Sequence, residues 1–377
     1  MYGTGLWKVV YIPFPEPEGW RFRRPITIDN TTNTNTLTDY QVLITLDTAS
    51  LISAGKMRSD CGDIRFKDTD GTSLNYWIEP GTENTSSTKI WVKVPNIPGS
   101  STKTIYMYYG NLSATSESNA TNTFIRVIDG VVGSWHFDEG SGTTAYDTSG
   151  NDNDGTIYGA TWTDGKFGKA LSFDGVDDYV EVPDSDSLDL QTLTLEVWNK
   201  LDALSDTGVL YKRSGLPGSL GTNANYQMEI YPPGDGNYYF AFSYRDGSSW
   251  QNVYSTNTPI ETGKWYHVVM TFDSGTGRVY INGKLDAEKT GLPSLVTNDY
   301  HLVIGAAWND YFNGIIDEVR IYNRALTPEE ISDLYNNYGY TTENYPGYVL
   351  VRKFTDPEPS TSVGSEEIYG ISKILLA

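Results

Sequence analysis

The sequence predicts an all-β chain: two antiparallel β-sandwiches in series, one short helix, and extended arms at both ends. Three observations carry this. Apolar residues recur with period two over many short runs, turn residues punctuate those runs, and one segment alone carries strong helix signals.

Residues 1–19 form an arm rich in proline and aromatics, with a strand-like piece at Trp7–Ile12. Residues 20–125 form the first sandwich. There Val42, Ile44 and Leu46 alternate with Leu43 and Thr45, and Ile90, Val92 and Val94 with Trp91 and Lys93. Residues 130–338 form the second. Leu193, Leu195 and Val197 alternate with Thr194, Glu196 and Trp198, and Tyr266, Val268, Met270 and Phe272 with His267, Val269 and Thr271. Asp70-Gly71, Asp246-Gly247 and Asn282-Gly283 mark turns between such runs.

The helix falls near 328–337. Thr327 fits the N-cap, Pro328 the first helical position, and Glu330 closes a capping box ahead of Ile331, Leu334 and Tyr335. Residues 339–377 are a tail containing Pro357, Pro359 and a strand-like piece at Tyr348–Phe354. Each arm either packs on its own chain or adds a strand to a neighbouring copy, a route to fibres or arrays.

Composition narrows the function. The 377 residues are 38% hydrophobic and 13% aromatic, enough to bury cores. No apolar run approaches the roughly 18–20 residues of a membrane-spanning helix. The net charge of −21 is uneven: 11 Lys/Arg face 12 Asp/Glu through Ile125, but 16 face 36 from Arg126 onward. Such a surface repels phosphate backbones, so nucleic acid is a poor partner. Clustered carboxylates suit calcium, or serve solubility alone. Cys61 is the single cysteine, which excludes an internal disulfide, a thiolate zinc site and an iron–sulfur cluster.

The first twenty residues lack the basic region and long apolar stretch of a secretory signal. Export then requires a removed signal, another route, or display as part of a particle. Asn30, Asn84, Asn111 and Asn119 open Asn-X-Ser/Thr sequons and are the candidate glycosylation positions.

The second sandwich reads GSWHFDEGSGTTAYDTSGNDNDGTIYGATW, GKFGKALSFDGVDDYVEVPDSDSLDL, WYHVVMTFDSGTGRVYINGKL and FNGIIDEVRIYNRALTPEEISDLY. These blocks, in this order over about residues 131–338, resemble the laminin-G-like, concanavalin A-like lectin/glucanase superfamily. The resemblance implies a two-sheet jelly roll that binds glycans or proteins and often holds a structural calcium. The first domain reads WRFRRPITIDN, LTDYQVLITLD, DIRFKDTDGTSLNYWIE, IWVKVPNIP and IYMYYGN. Over about residues 20–124 it resembles a domain of unknown function that precedes laminin-G-like modules in archaeal and bacterial surface proteins. It implies a surface setting and no chemistry.

Glucanases with this jelly roll carry a Glu-X-Asp-X-(X)-Glu pattern on their active strand, and glycoside hydrolysis needs a carboxylate pair about 5–9.5 Å apart. Neither Leu195-Glu196-Val197 nor Ile316-Asp317-Glu318 has a second acid two residues away, and Asp317 and Glu318 point to opposite faces of a strand. His136, His267 and His301 lack metal-ligand spacing, and there is no nucleophile elbow or phosphate loop. The sequence predicts no catalytic site.

A calcium site rests on two observations. Asp147 to Gly155 is dense in short oxygen ligands without the spacing of an EF-hand. In addition, residues 315, 317, 319 and 321 share a strand face, and Ile315, Val319 and Ile321 make it the core face, so Asp317 points inward. A buried carboxylate needs a cation, backbone donors or an arginine. The resemblance places a structural calcium near the first and last strands, which makes Asp138, Asp147, Asn151, Asp154 and Asp317 the candidate ligands. Asp174, Asp177 and Asp178 are a second group, read mainly as turn residues.

Sugar rings stack on tyrosine and tryptophan and give hydroxyls to acids and amides. Trp198 and Glu196 share a face opposite Leu195 and Val197, as a binding surface requires. Tyr244, Trp250, Trp308, Asn309 and Tyr311 complete the candidate ligand-binding set. The sequence thus describes a non-catalytic carbohydrate-binding or adhesion protein at an extracellular, cell or virion surface. Its partners are a polysaccharide or glycoprotein, and it carries a structural calcium. The alternative is a structural subunit of a filament, sheath or virion, assembling with copies of itself through its arms.

Overall fold

A computed structural model describes residues 19–213, 224–307 and 310–369. The chain is nearly all β and divides into two units, one of residues 1–124 with 353–377 and one of residues 125–352. The expected arm at 1–19, apart from its last residue, lies outside the described residues, as do Trp308 and Asn309.

In the first unit, strand Phe22–Asp29 pairs antiparallel with Thr102–Tyr109, which pairs with Arg65–Asp68. A three-stranded sheet orders Leu37–Leu46, Thr88–Ile97 and Tyr76–Ile78. Inward residues of both sheets, Ile26, Ile28, Val42, Ile44, Ile90, Val92, Ile105 and Met107 among them, form one core. Val42, Ile44 and Leu46 are buried while Leu43 and Thr45 are not, as the alternation predicts, whereas Trp91, buried beside Phe124, breaks it.

The C-terminal segment is not a separate tail. Ser360–Val363 and Glu367–Ile368 both pair with Phe22–Asp29 and extend the first unit's sheet at its edge. Side chains pin this segment down. Lys56 and the Tyr109 hydroxyl hold Glu366 at 2.6 and 2.7 Å, and Arg23 holds Glu367 at 2.6 Å. Tyr348–Arg352 instead belongs to the second unit, between Tyr338–Tyr340 and Arg126–Asp129. In chain order, the second sandwich is inserted into the first.

The second unit is a sandwich of two eight-stranded sheets. The front sheet orders the strands 144–145, 155–158, 179–182, 302–304, 207–213, 224–231, 239–245 and 250–254. The back sheet orders 161–164, 169–174, 313–322, 193–201, 265–273, 276–281 and 284–289, with 131–135 also pairing along 313–322. Leu210, Met228 and Phe242 from the front and Leu195, Val268 and Ile316 from the back meet in one continuous core.

A third layer covers the back sheet. Helix Pro328–Asn336 forms where the sequence places it: Thr327 and Glu330 complete the reciprocal capping box, and Pro328 opens the first turn. Ile331 and Leu334 of the helix pack with Ile128, Val349 and Val351 of the three-stranded sheet against Val269, Tyr280 and Tyr322 on the back sheet's outer side.

Candidate functional site

The outer side of the back sheet was one expected location for ligand contacts. There the structure corrects the sequence reading twice. First, Glu318 adopts a left-handed φ of +51°, and the pairing register shifts between Glu196 and Trp198. This bulge adds a residue, so Ile316 rather than Ile315 shares the core with Val319 and Ile321. Asp317 therefore points away from the sandwich core, yet the third layer and the loop at 165–168 still bury it completely.

Second, Glu196 and Trp198 do point outward from the core, but onto a covered face. Trp198 stacks on Tyr335 of the helix at 5.8 Å and meets Phe167 edge-on at 5.7 Å. Glu196 accepts from Arg320 at 3.1 Å and from the Tyr322 hydroxyl at 2.6 Å, with the His267 Nε2 at 3.1 Å. Arg320 also pairs with Glu318 and donates to the Gly339 carbonyl. His136 sits between Glu318 at 2.9 Å and the Thr341 hydroxyl at 2.7 Å. Burial alone raises the pKa of Glu196, but Arg320, His267 and Tyr322 outweigh it and hold the carboxyl below its ordinary value. This network ties the third layer to the back sheet and buries both Glu196 and Trp198.

The metal candidates separate into two groups. Asp147 is saturated: it accepts from the Ser134 and Ser149 amides at 2.8 and 2.9 Å, the Ser149 hydroxyl at 2.8 Å and the Asn153 amide at 3.0 Å. Asp154 caps the Asp147 amide at 2.8 Å, and Asn151 donates to the Val132 carbonyl at 3.2 Å. These three residues shape a turn, and Asp147 has no lone pairs to spare for an ion.

Asp138 and Asp317 face the loop Gly165–Lys169. Asp317 Oδ2 accepts the Lys166 and Phe167 amides at 2.7 and 3.0 Å, while its buried Oδ1 has no partner among the described residues. Asp138 accepts the Lys169 amide at 2.7 Å. A Cβ at Gly165 would stand 2.5 Å from Asp317 Oδ2, and one at Gly168 2.2 Å from Asp138 Oδ1, so both glycines let the loop approach the carboxylates. Burial lifts the Asp317 carboxyl well above the carboxylate range and the Glu318 charge adds to it, against the two amide bonds. A cation here would remove that penalty, and the orphaned oxygen fits one.

Asp174, Asp177 and Asp178 bring carboxylate oxygens within 4.8 Å of one another. Asp178 accepts the Asp174 amide and Asp174 the Val176 amide, as turn residues do.

The outer side of the front sheet differs. Its register sets Thr156, Glu181, Val303, Tyr211, Gln227, Ser243 and Asn252 in one row across seven strands. Tyr211 and Gln227 are direct register partners, both buried, and Tyr211 Oη and Gln227 Oε1 have no hydrogen-bond partner among the described residues. Tyr158, 42% exposed, stacks on Tyr179 at 4.7 Å on one flank, and Tyr231 stacks on Tyr254 at 4.7 Å on the other. Tyr311 packs with Tyr179 and Tyr211. Strand Tyr179–Val182 and strand Trp250–Tyr254 are five strand spacings apart, roughly 24 Å at about 4.8 Å each. Between the flanks, Glu229 accepts from Ser243 and Gln227, and burial raises its carboxyl to about 7.

Of the expected ligand-binding residues, Tyr311 lies in this strip, and Trp250 lies half-buried on the sheet's edge strand with Arg245 over its ring at 5.8 Å. Tyr244 is a core residue whose hydroxyl donates to the Pro293 carbonyl. Sequence reading missed Tyr179, Gln227 and Glu229. The period-two pattern of their strands marks two faces, and nothing in it tells which one a third layer covers.

Among the sequons, Asn30 is fully buried and donates to the Asn35 and Pro98 carbonyls, so in the folded chain it cannot carry a glycan. Asn84 and Asn119 are exposed, the latter capping a short helix. Asn111 is half-buried and accepts from Ser113.

Comparison with known proteins meets both resemblances read from the sequence. Residues 174–332 match the family model of the concanavalin A-like lectin/glucanases superfamily, and residues 60–163 match a domain of unknown function, DUF2341. Over 99 residues the chain is 40% identical to the human adhesion G-protein coupled receptor D1, covering 23% of this chain and 10% of that protein. The chain thus spans about a tenth of that curated relative's length. Among solved structures, domain 4 of AbnA, a GH43 extracellular arabinanase from Geobacillus stearothermophilus in complex with arabinotriose, is 27% identical. Its TM-score is 0.45, over 55% of this chain and 98% of that one. The binding domain of Paraclostridial mosquitocidal protein 1 is 18% identical with a TM-score of 0.44, over 55% of this chain and 52% of that one.

Proposed function

We propose that this chain is a non-catalytic carbohydrate-binding or adhesion protein of an extracellular or cell-surface setting, and that a polysaccharide or glycoprotein glycan lies along the outer side of the front sheet. One observation carries the reading. Tyr211 and Gln227, paired in register, each bury a polar atom without a partner among the described residues, a condition that native proteins rarely leave unmet. Ligand hydroxyls would meet both atoms, and the stacked tyrosines on the two flanks offer faces to sugar rings. The lectin/glucanase-like fold supports the same class of ligand.

The test is affinity electrophoresis and calorimetry against arabinan, xylan, mannan and β-glucan, with Tyr179→Ala and Tyr211→Phe beside the wild type. Binding of one glycan, weakened about tenfold in Tyr179→Ala and less in Tyr211→Phe, is expected. Binding that both variants leave untouched would move the ligand off this face.

The same unit is proposed to hold a structural calcium at Asp317 and Asp138, with Asp147, Asn151 and Asp154 shaping the neighbouring turn. The orphaned Asp317 Oδ1 supports this, and the ion would neutralise charge that burial penalises. A chelator is expected to lower the melting temperature of the wild type and leave that of Asp317→Asn unmoved. Equal melting of the wild type with and without chelator would sink the calcium and leave a protonated Asp317.

A further inference from the structure

Away from both faces of the sandwich, a cleft of about 390 Å³ opens in the second unit between residues 129–132, 149–151, Asn323 and 346–348. All of these except Asn323 lie outside the 174–332 match to the lectin superfamily. The volume falls within the range of small-molecule sites, about 300–1,000 Å³.

The floor of the cleft is backbone and it is stitched. The Gly130 amide donates to the Gly347 carbonyl at 2.9 Å, the Gly347 amide to the Ser149 carbonyl at 2.9 Å, and the Asn323 amide to the Gly130 carbonyl at 2.8 Å. Gly130, Gly150 and Gly347 all have left-handed φ, of +87°, +90° and +79°. They turn the chain there and raise no side chain into the space. The Asp147 carboxylate, bonded to the Ser149 amide and hydroxyl, holds the 149–151 wall in place. The opening is therefore preformed rather than a gap waiting to collapse.

Its walls carry one aromatic ring and three polar heads. Tyr348 is 38% exposed and is backed by Tyr345, with ring centroids 4.6 Å apart and planes 24° from parallel, which fixes it as a platform. The exposed Asn323 side-chain amide makes no hydrogen bond among the described residues. Asn151 spends its NH₂ on the Val132 carbonyl and the Ser149 hydroxyl, leaving its oxygen to accept. Asp129 is paired with Arg324 at 2.7 Å, and Arg324 also grips Glu330 at 2.7 Å, so among the described residues the cleft presents no free cation for an anionic ligand. Acceptors dominate, beside one fixed ring. That combination suits a neutral molecule with one apolar face and several hydroxyl donors.

We propose that this cleft is a second saccharide site, separate from the front sheet. It takes one neutral sugar ring with its C–H face on Tyr348 and its hydroxyls on Asp129, Asn151 and Asn323. Its size limits it to a chain end or single residue, in contrast to the long strip on the front sheet.

Saturation-transfer NMR with glucose, galactose, mannose, arabinose and N-acetylglucosamine tests it on the full chain. At least one sugar is expected to receive transfer, with affinity falling about tenfold in Tyr348→Ala and in Asn323→Ala, while Tyr211→Phe leaves it unchanged. All these side chains except Tyr211 are exposed, and an unchanged melting temperature verifies the fold of each variant. No transfer to any of the five sugars overturns the proposal, as does transfer that survives Tyr348→Ala and Asn323→Ala. Transfer lost only in Tyr211→Phe would assign the sugar to the front sheet. The front-sheet reading stands or falls separately, on the polysaccharides and on Tyr179→Ala.

Discussion

The two outer sides of the second sandwich start from the same pattern and end in opposite states. On the back sheet, Glu196, Trp198, His267 and Arg320 are covered by the helix and the three-stranded sheet, and the carboxylate of Glu196 meets three donors. On the front sheet, Tyr211 and Gln227 sit among half-exposed tyrosines with polar atoms unmet. The difference teaches where polar residues on a sheet serve stability and where they are left for a ligand. A satisfied buried network fastens two layers, and an unsatisfied one costs stability that a binding partner can restore.

The largest effect that sharpens this contrast is expected at Arg320. Arg320→Ala strands Glu196 and Glu318 in a water-excluded layer and should cost about 3–5 kcal/mol, read from the denaturation midpoint. Trp198→Ala, which empties a ring-lined gap below the helix, should cost about 3 kcal/mol. If either cost under about 0.5 kcal/mol, the back side would be no more structural than an ordinary surface.

A smaller and pH-dependent effect belongs to the front sheet. Burial raises Glu229 from an ordinary 4.5 to about 7, so the folded chain holds this proton more tightly than the unfolded one. The stability linked to it is complete below pH 4.5 and is lost as pH rises through 7. Glu229→Gln should therefore melt higher than the wild type above pH 7, with the gain shrinking toward pH 4.5. A gain independent of pH would show that the carboxyl's charge is not the cause. Smallest of all, Tyr211→Phe should raise stability by about 1 kcal/mol, because the buried hydroxyl it removes bonds nothing among the described residues.

Much of this was legible beforehand. The helix at Pro328–Asn336 was readable because its capping box is local: Thr327, Pro328 and Glu330 lie within one turn. The strands were readable because Val42, Ile44 and Leu46 are buried at alternate positions, and because Tyr266, Val268 and Met270 face the sandwich core while Val269 between them packs under the third layer. Asp317 shows the limit. Its burial was foreseen from alternation, but alternation assumes an unbroken strand, and the bulge at Glu318 reverses the face.

What the sequence determined by itself was therefore local: element type, the two-faced character of each strand, the acidic balance, and the missing Glu-X-Asp strand pattern. Tertiary structure alone decided which face the helix and the three-stranded sheet cover. It brought residues 338–352 back over Glu196 and Arg320, and carried residues 360–368 to the edge beside Phe22–Asp29. It also supplied Asp147 with four donors and Asp317 Oδ1 with none. The physical reason is that period two reports a strand's own pleat, whereas covering depends on segments distant in the chain, whose arrival leaves no mark on the pattern they cover.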